Sequence, residues 1–222
     1  MENNIQLKEM IRSMVIDVLE GKKQETASSQ HIKQASRGQV EPGVFDTVDE
    51  AIQAAKVAQE RFEDCTLATR EKVIADIRAA MRPRVQELAL KTVEETGMGR
   101  VADKVLKLNL TLDKTPGVED LVTECETGDN GMTLYELSAY GVIGAITPST
   151  NPAETLICNT IGMLAAGNAV FFSVHPGAKH LSRLLVSELN QIISKSIGIE
   201  NLIVTLSEPS IESAQEMMVH PD

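Results

Sequence analysis

The chain has 222 residues, 42% hydrophobic and 24% charged, a globular balance that excludes a wholly disordered polypeptide. No apolar run approaches the roughly 18 residues that a membrane-spanning helix needs. Lys plus Arg number 21 against 32 Asp plus Glu, a net charge of −11 that argues against nucleic acid as the main partner, because phosphate binding needs clustered cations.

Residues 4–20 read as an amphipathic helix, with Leu7, Ile11, Met14, Val15 and Val18 on one face. Residues 21–43 read as a flexible linker: apolar residues are sparse, and the stretch ends at Pro42-Gly43. Helical stripes then occupy Asp46–Glu63, about Thr69–Glu95 and about Arg100–Lys114. Pro83 predicts a kink or break in the second of these, and Gly97 and Gly99 its end. Residues 120–139 read as a β-hairpin turning at Asp129-Asn130-Gly131, with flanks that are polar and mixed on both faces. Such a ribbon is marginal alone, so it is expected to pack on another chain or domain.

From Gly141 the rhythm becomes β-α-β-α-β-α. Strands are expected at Gly141–Thr147, Ala169–Val174 and Leu202–Leu206, with helices at Pro152–Ala166, Ala178–Ser196 and about Ser210–Val219. This is the pattern of an open parallel sheet with helical crossovers, covered on both faces. Aromatic residues are only 3% and Trp is absent, so the core must rest on Leu, Ile, Val, Ala and Met.

Open parallel sheets bind ligands beyond the carboxyl ends of their strands. Three loops fall there: Thr147–Pro152, His175-Pro176-Gly177 and Ser207-Glu208-Pro209. In the first, Asn151 is placed as an N-cap, Pro152 as the first helical residue and Glu154 as the partner in a capping box. Ser149, Thr150 and Asn151 therefore either cap a helix or help present its N-terminus to an anion or developing oxyanion. His175 is either a nucleotide contact or an ordinary loop histidine. Lys179 either reaches a phosphate or is a solvated lysine.

No GxGxxG, GxxxxGK[ST] or GxSxG motif is present. The histidines show no metal-ligand spacing, so no metal is expected. Cys65, Cys125 and Cys158 form no CxxC pair; the odd count without a secretory signal fits a reducing cytoplasm. Cys158, beside Ile157 in a helix, reads as a small core residue.

Four segments in order are distinctive: Glu95–Arg100 (ETGMGR), Thr127–Gly131 (TGDNG), Gly141–Pro152 (GVIGAITPSTNP) and Ala166–Val170 (AGNAV). Together they resemble the CoA-acylating aldehyde dehydrogenases of bacterial microcompartments, of the propionaldehyde and acetaldehyde type, over about residues 44–222. The Pro-Ser-Thr-Asn-Pro run stands where hydrolytic members carry Pro-Trp-Asn-Phe-Pro, which argues against a non-acylating dehydrogenase. Residues 1–20 resemble the encapsulation peptides that bind shell proteins.

The resemblance implies an α/β, aldehyde dehydrogenase-like fold with an incomplete Rossmann-like sheet. It implies five parts: an encapsulation helix at 1–20, a linker at 21–43, a helical lead-in at 44–118, an oligomerisation hairpin at 119–140 and a partial NAD- and CoA-binding domain at 141–222. It implies oxidation of a short-chain aldehyde to acyl-CoA. A cysteine thiolate attacks the aldehyde, NAD takes the hydride, and coenzyme A accepts the acyl group from the enzyme thioester. Thr147, Pro148 and Ser149 then line the nicotinamide side. Thr150 and Asn151 are the oxyanion candidates and share the cofactor crevice, with His175 and Pro176 toward the adenosine ribose. Many relatives carry a lysine where this chain has Ser173. The family continues beyond this point and no residue here matches its nucleophilic cysteine, so the chain is expected to be an amino-terminal portion, inactive alone. The implied setting is cytoplasmic, inside a microcompartment, as a homo-oligomer without membrane or nucleic-acid partners. The competing reading is a non-catalytic nucleotide-binding or shell-binding adaptor.

Overall fold

A computed structural model describes residues 41–221, so the helix expected at 4–20 and the linker at 21–40 lie outside the described residues. Glu41–Gly43 belong to the folded unit, which begins at Glu41 and not at Val44. They are tied down by specific bonds. The Thr205 N–H donates to Gly43 O at 2.9 Å, and Arg183 Nη2 reaches Glu41 Oε2 at 3.0 Å. Gly43 sits at φ +78°, and a Cβ there would lie 2.0 Å from Asn190 Nδ2, so only glycine fits.

A two-residue strand β1 (Val44–Phe45), unforeseen in the sequence, leads into α1 (Val48–Glu63). Thr47 caps α1, its hydroxyl accepting from the Glu50 N–H. Helix α2 (Leu67–Met81) ends in a 3-10 turn, Arg82–Arg84, and α3 (Val85–Thr96) continues the chain. That turn is the break expected at Pro83, which has no N–H to give the ladder. Gly97 at φ +68° closes α3, and α4 (Val101–Lys114) follows.

The hairpin β2 (Glu124–Gly128) and β3 (Gly131–Tyr135) is antiparallel, and all ten of its residues are exposed. Its register corrects the expectation of faces mixed alike. Cys125 opposes Leu134 and Thr127 opposes Met132 on one face; Glu126 opposes Thr133 and Glu124 opposes Tyr135 on the other. One face is therefore apolar and the other acidic.

The last part alternates as expected: β4 (Val142–Ile146), α5 (Pro152–Ala165), β5 (Ala169–Ser173), α6 (Lys179–Ile197), β6 (Ile203–Leu206) and α7 (Ile211–Val219). The sheet order is β1-β6-β5-β4 and every pairing is parallel. Helices α5 and α6 are the crossovers between successive strands, so right-handed connections place them on one face. Helices α1 and α7 pack on the other, both touching β4 and β5. Covered on both faces, β5 and β6 are buried almost throughout, with Phe171 and Phe172 at 1% and 0% exposure.

Two polar residues fasten this core. Asn190 on α6, 1% exposed, donates from Nδ2 to Val186 O at 3.1 Å and to Ile203 O, and accepts the Asn201 N–H at 3.1 Å. Asn168, following the Gly167 helix stop, accepts the Tyr140 and Gly141 N–H groups at 2.6 and 3.1 Å. Between helices, Arg84 binds Glu87 through Nε at 2.5 Å and Glu188 of α6 through Nη1 at 2.8 Å.

Replacing Asn190 by Ala strands the Asn201 N–H and the Ile203 carbonyl. The expected loss is about 2 kcal/mol, or a fall in Tm of roughly 4–8 °C by calorimetry. Acid should reveal the Arg84 network. Hydrogen bonds from Arg84 and then Lys91 hold the Glu87 carboxyl at about 2, below its ordinary 4.5. The contribution is therefore complete above pH 4.5 and disappears as pH falls through about 2. Wild type and Glu87→Gln should differ by under about 1 kcal/mol at neutral pH, solvent screening a half-exposed pair, and their melting curves should converge in acid.

Candidate active site

Because all four strands run parallel, the loops at 147–151, 174–178 and 207–210 leave the same edge of the sheet. Thr147 continues the ladder, its N–H donating to Ser173 O at 3.0 Å. Its side chain is buried, and Oγ1 has no hydrogen-bond partner among the described residues. Pro148 and Thr150 are exposed and Ser149 is half-buried, with its Oγ 3.9 Å from Met98 Sδ.

Asn151 opens α5, but the capping box expected there does not form. Its side chain takes no N–H of the first turn. Instead Oδ1 accepts from Lys104 Nζ at 3.0 Å and from Lys107 Nζ at 3.1 Å. Glu154, expected to reach back to the cap, instead pairs with Lys104 at 3.3 Å, both side chains under 10% exposed. Two cations on α4 outcompete a backbone amide for the same oxygens, because charge-assisted bonds are the stronger.

His175 accepts the Gly177 N–H on Nδ1 at 3.0 Å and caps the 3-10 turn Pro176–Ala178. The neutral ring then carries its proton on Nε2, pointing away from the turn. His175 and Pro176 are both exposed. Lys179 is engaged with Glu208 at 2.6 Å, bridging the loops after β5 and β6. This pairing, with weaker help from Arg183 and His180, keeps the Glu208 carboxyl below its ordinary range. Arg183 donates to Ser207 O at 3.2 Å, and Ser207 Oγ donates to Asp46 Oδ1 at 2.8 Å.

Thr147, Pro148, Ser149, Thr150 and Asn151 thus form one continuous lip, with His175 and Pro176 on the neighbouring loop. Sequence reasoning missed Lys104, Lys107 and the true partner of Glu154. One signal was present: Lys104 falls on the buried stripe that includes Val101, Val105, Leu108 and Leu112. A lysine there needs an acceptor or a carboxylate nearby.

Beside the lip, a depression of about 360 Å³ runs between α4 and α5, lined by Lys107, Leu110, Thr111, Asn151, Thr155 and Cys158. Cys158 is exposed in it, not a core residue as its apolar neighbour suggested. The helical period turns its side chain away from the buried face that holds Leu156, Ile157 and Thr160. Among the described residues, no group of His, Cys, Asp and Glu could hold a metal ion. Maleimide labelling of the folded chain, mapped by peptide mass, should modify Cys125 and Cys158 quickly. Half-buried Cys65, bonded to Arg61 O at 3.8 Å, should react more slowly.

Residues 19–222 match the aldehyde dehydrogenase family. Propanal dehydrogenase (CoA-propanoylating) of Salmonella typhimurium is 48% identical over 199 residues, covering 88% of this chain and 43% of that protein. Acetaldehyde dehydrogenase (acetylating) EutE of Escherichia coli is 48% identical over 181 residues, 82% of this chain and 38% of that one. A propionaldehyde dehydrogenase from the Clostridium phytofermentans fucose utilisation bacterial microcompartment superposes with a TM-score of 0.79 at 47% identity, covering 82% of this chain and 42% of its own. Propionaldehyde dehydrogenase of Rhodopseudomonas palustris, solved with bound CoA and an acylated cysteine, gives 0.78 at 49% identity, with 82% and 42% covered. The chain spans about two fifths of the length of these relatives. With the four-stranded parallel sheet and the lip at its carboxyl edge, this likeness shows that the chain belongs to the aldehyde dehydrogenase family.

Proposed function

We propose that this chain forms the nucleotide-side wall of a CoA-acylating aldehyde dehydrogenase, which oxidises a short-chain aldehyde to its acyl-CoA with NAD and coenzyme A. The observation that carries this is the Thr147–Asn151 lip, held at the carboxyl edge of β4 and directed by lysines on α4. The residues present fit a dinucleotide. Thr147 Oγ1 is buried without a partner, the Nε2 proton of His175 points outward, and both α5 and α6 begin at the crevice. Bound NAD supplies the hydride acceptor. Thr147, Pro148 and Ser149 line its nicotinamide side, and His175 and Pro176 approach the adenosine ribose. Ser173 carries no cation, so the ribose end depends on neutral hydrogen bonds.

Thr150 and Asn151 serve the reacting carbonyl. With Oδ1 turned to the lysines, the Asn151 amide gives one N–H to Thr150 Oγ1 at 3.4 Å and keeps the other to donate to oxygen as charge develops there. The attacking thiolate is assigned to none of Cys65, Cys125 and Cys158. Residues 44–118 serve as the helical lead-in and 141–222 as the partial NAD/CoA-binding domain.

The hairpin within 119–140 is assigned to contact with another copy. Its apolar face, with Met132 at 64% and Leu134 at 59% exposure, gains by burial there. Residues 1–20 are assigned to binding a microcompartment shell, through the linker that ends before Glu41. No described helix is long and apolar enough to cross a membrane.

The test is aldehyde oxidation by the whole polypeptide that carries this sequence, followed as NADH. Turnover should need both aldehyde and coenzyme A, and Asn151→Ala should lower kcat by about 10²-fold while the KM for NAD barely changes. Residues 1–222 alone should bind NAD by calorimetry and turn over nothing. Turnover independent of coenzyme A, or an active Asn151→Ala, would sink the proposal; nucleotide binding by an inactive whole polypeptide would favour the adaptor.

A further inference from the structure

Lys104 is 3% exposed on a helix whose other inward residues are apolar. An ammonium in that position is costly unless its donors and charge are matched, and leucine would have packed the stripe without that cost. Its surroundings answer the charge and two of the three donors. Nζ donates to the Thr150 carbonyl and to Asn151 Oδ1, and it forms an ion pair with Glu154 Oε1. Two of the ammonium's three protons are thus taken by oxygens, and the third partner, the Glu154 carboxylate, supplies opposite charge without a hydrogen bond. All three partners lie between residues 150 and 154, so a single side chain on α4 grips both the lip and the first turn of α5.

The grip also decides which way the Asn151 amide points. Its oxygen accepts from Lys104 and Lys107, which together use its two lone pairs. Rotating the amide by half a turn would set its NH₂ group against two ammonium groups. The NH₂ end therefore faces away from α4, 3.4 Å from Thr150 Oγ1 on the lip. Glu154 makes the arrangement tenable, because its carboxylate, buried and without a hydrogen bond, is the counter-charge.

We infer that Lys104, with Glu154 as counter-ion and Lys107 as the second donor, is a positioning residue: it fixes the height of the Thr150–Asn151 lip and the direction of the Asn151 amide. It touches neither cofactor nor substrate. The inference rests on the proposed role of Thr150 and Asn151.

Two measurements test it separately from that role. In the ¹⁵N-labelled 222-residue chain, the Asn151 side-chain NH₂ resonances, assigned by their loss in Asn151→Ala, should shift in both Lys104→Met and Lys107→Met. Lys107 is exposed, so its variant folds whatever becomes of the buried one. Unmoved resonances in Lys107→Met overturn the inference. In the whole enzyme, Lys104→Met should lower kcat by 10-fold or more, with the KM for NAD within about twofold, and Lys107→Met should fall between it and wild type. Glu154→Gln, which keeps the shape and removes the counter-charge, should lower kcat as well. Unchanged kcat in Lys107→Met and Glu154→Gln, beside an active wild type, also overturns it. An inactive wild type defeats the proposed function instead, and the resonances then decide the clamp alone.

Discussion

The crevice exists because four strands run in one direction. Parallel pairing of β4, β5 and β6 with single-helix crossovers brings three loops to one edge, and no side-chain interaction could assemble them otherwise. That arrangement demands a sheet buried on both faces, which is why β5 and β6 are made of Ala, Val, Ile, Leu and Phe with few polar interruptions. Thr205, the exception within β6, sends its hydroxyl to Phe172 O at 2.8 Å and so meets the requirement that a buried polar group be bonded. The close seat of Gly43 beside Asn190 then lets β1 pair with β6 and extend the sheet by one short strand.

Most of this architecture was legible because its signals are local. The stripes of α1 to α4, the break at Pro83, the Asn-Gly hairpin and the alternation after Gly141 each depend on residues within a few positions of one another. What escaped depends on distant partners. Val44 and Phe45 form a strand only because Thr205 and Leu206 lie alongside, and two residues carry no period. Glu41–Gly43 looked like linker because their ties run to Arg183 and Thr205, far along the chain. The faces of the hairpin became distinct only when register set Cys125 opposite Leu134.

The site shows the same division. Turn chemistry and the strand ends placed the loops Thr147–Pro152 and His175-Pro176-Gly177 at one edge of the sheet, where they lie; the roles of their residues came from the resemblance alone. The capping box was a sound local inference that lost to a tertiary one. Asn151 and Glu154 have the right spacing for a cap, but α4 places two lysines in reach of the same oxygens. Lys104 was visible as a polar interruption of an apolar stripe, a pattern that sequence alone cannot distinguish from a lysine extending its head to solvent. The exposure of Cys158 was likewise a matter of helical phase: its sequence neighbour Ile157 is buried, and the next position turns outward.

Charge gives these cations a further consequence. A protein at −11 repels polyanions such as dinucleotides and coenzyme A through its overall field, which salt screens beyond roughly 8 Å at physiological ionic strength. For the cofactors proposed above, attraction at the crevice must therefore be local. Lys179 and Arg183 stand at its rim, but Glu208 and Glu41 already compensate them. Lys104 is likewise offset by Glu154 beneath the lip. Lys107, whose bond is to the neutral Asn151 amide and not to a carboxylate, is left as the cation near the lip whose charge these pairings do not offset. The helix starts at α5 and α6 add partial positive charge from oriented N–H groups. The rim thus contributes order more than net charge: the Lys179–Glu208 pair joins the loops after β5 and β6, and the Arg183–Glu41 pair ties α6 to the segment before β1, while the lip relies on directed hydrogen bonds whose directions α4 sets.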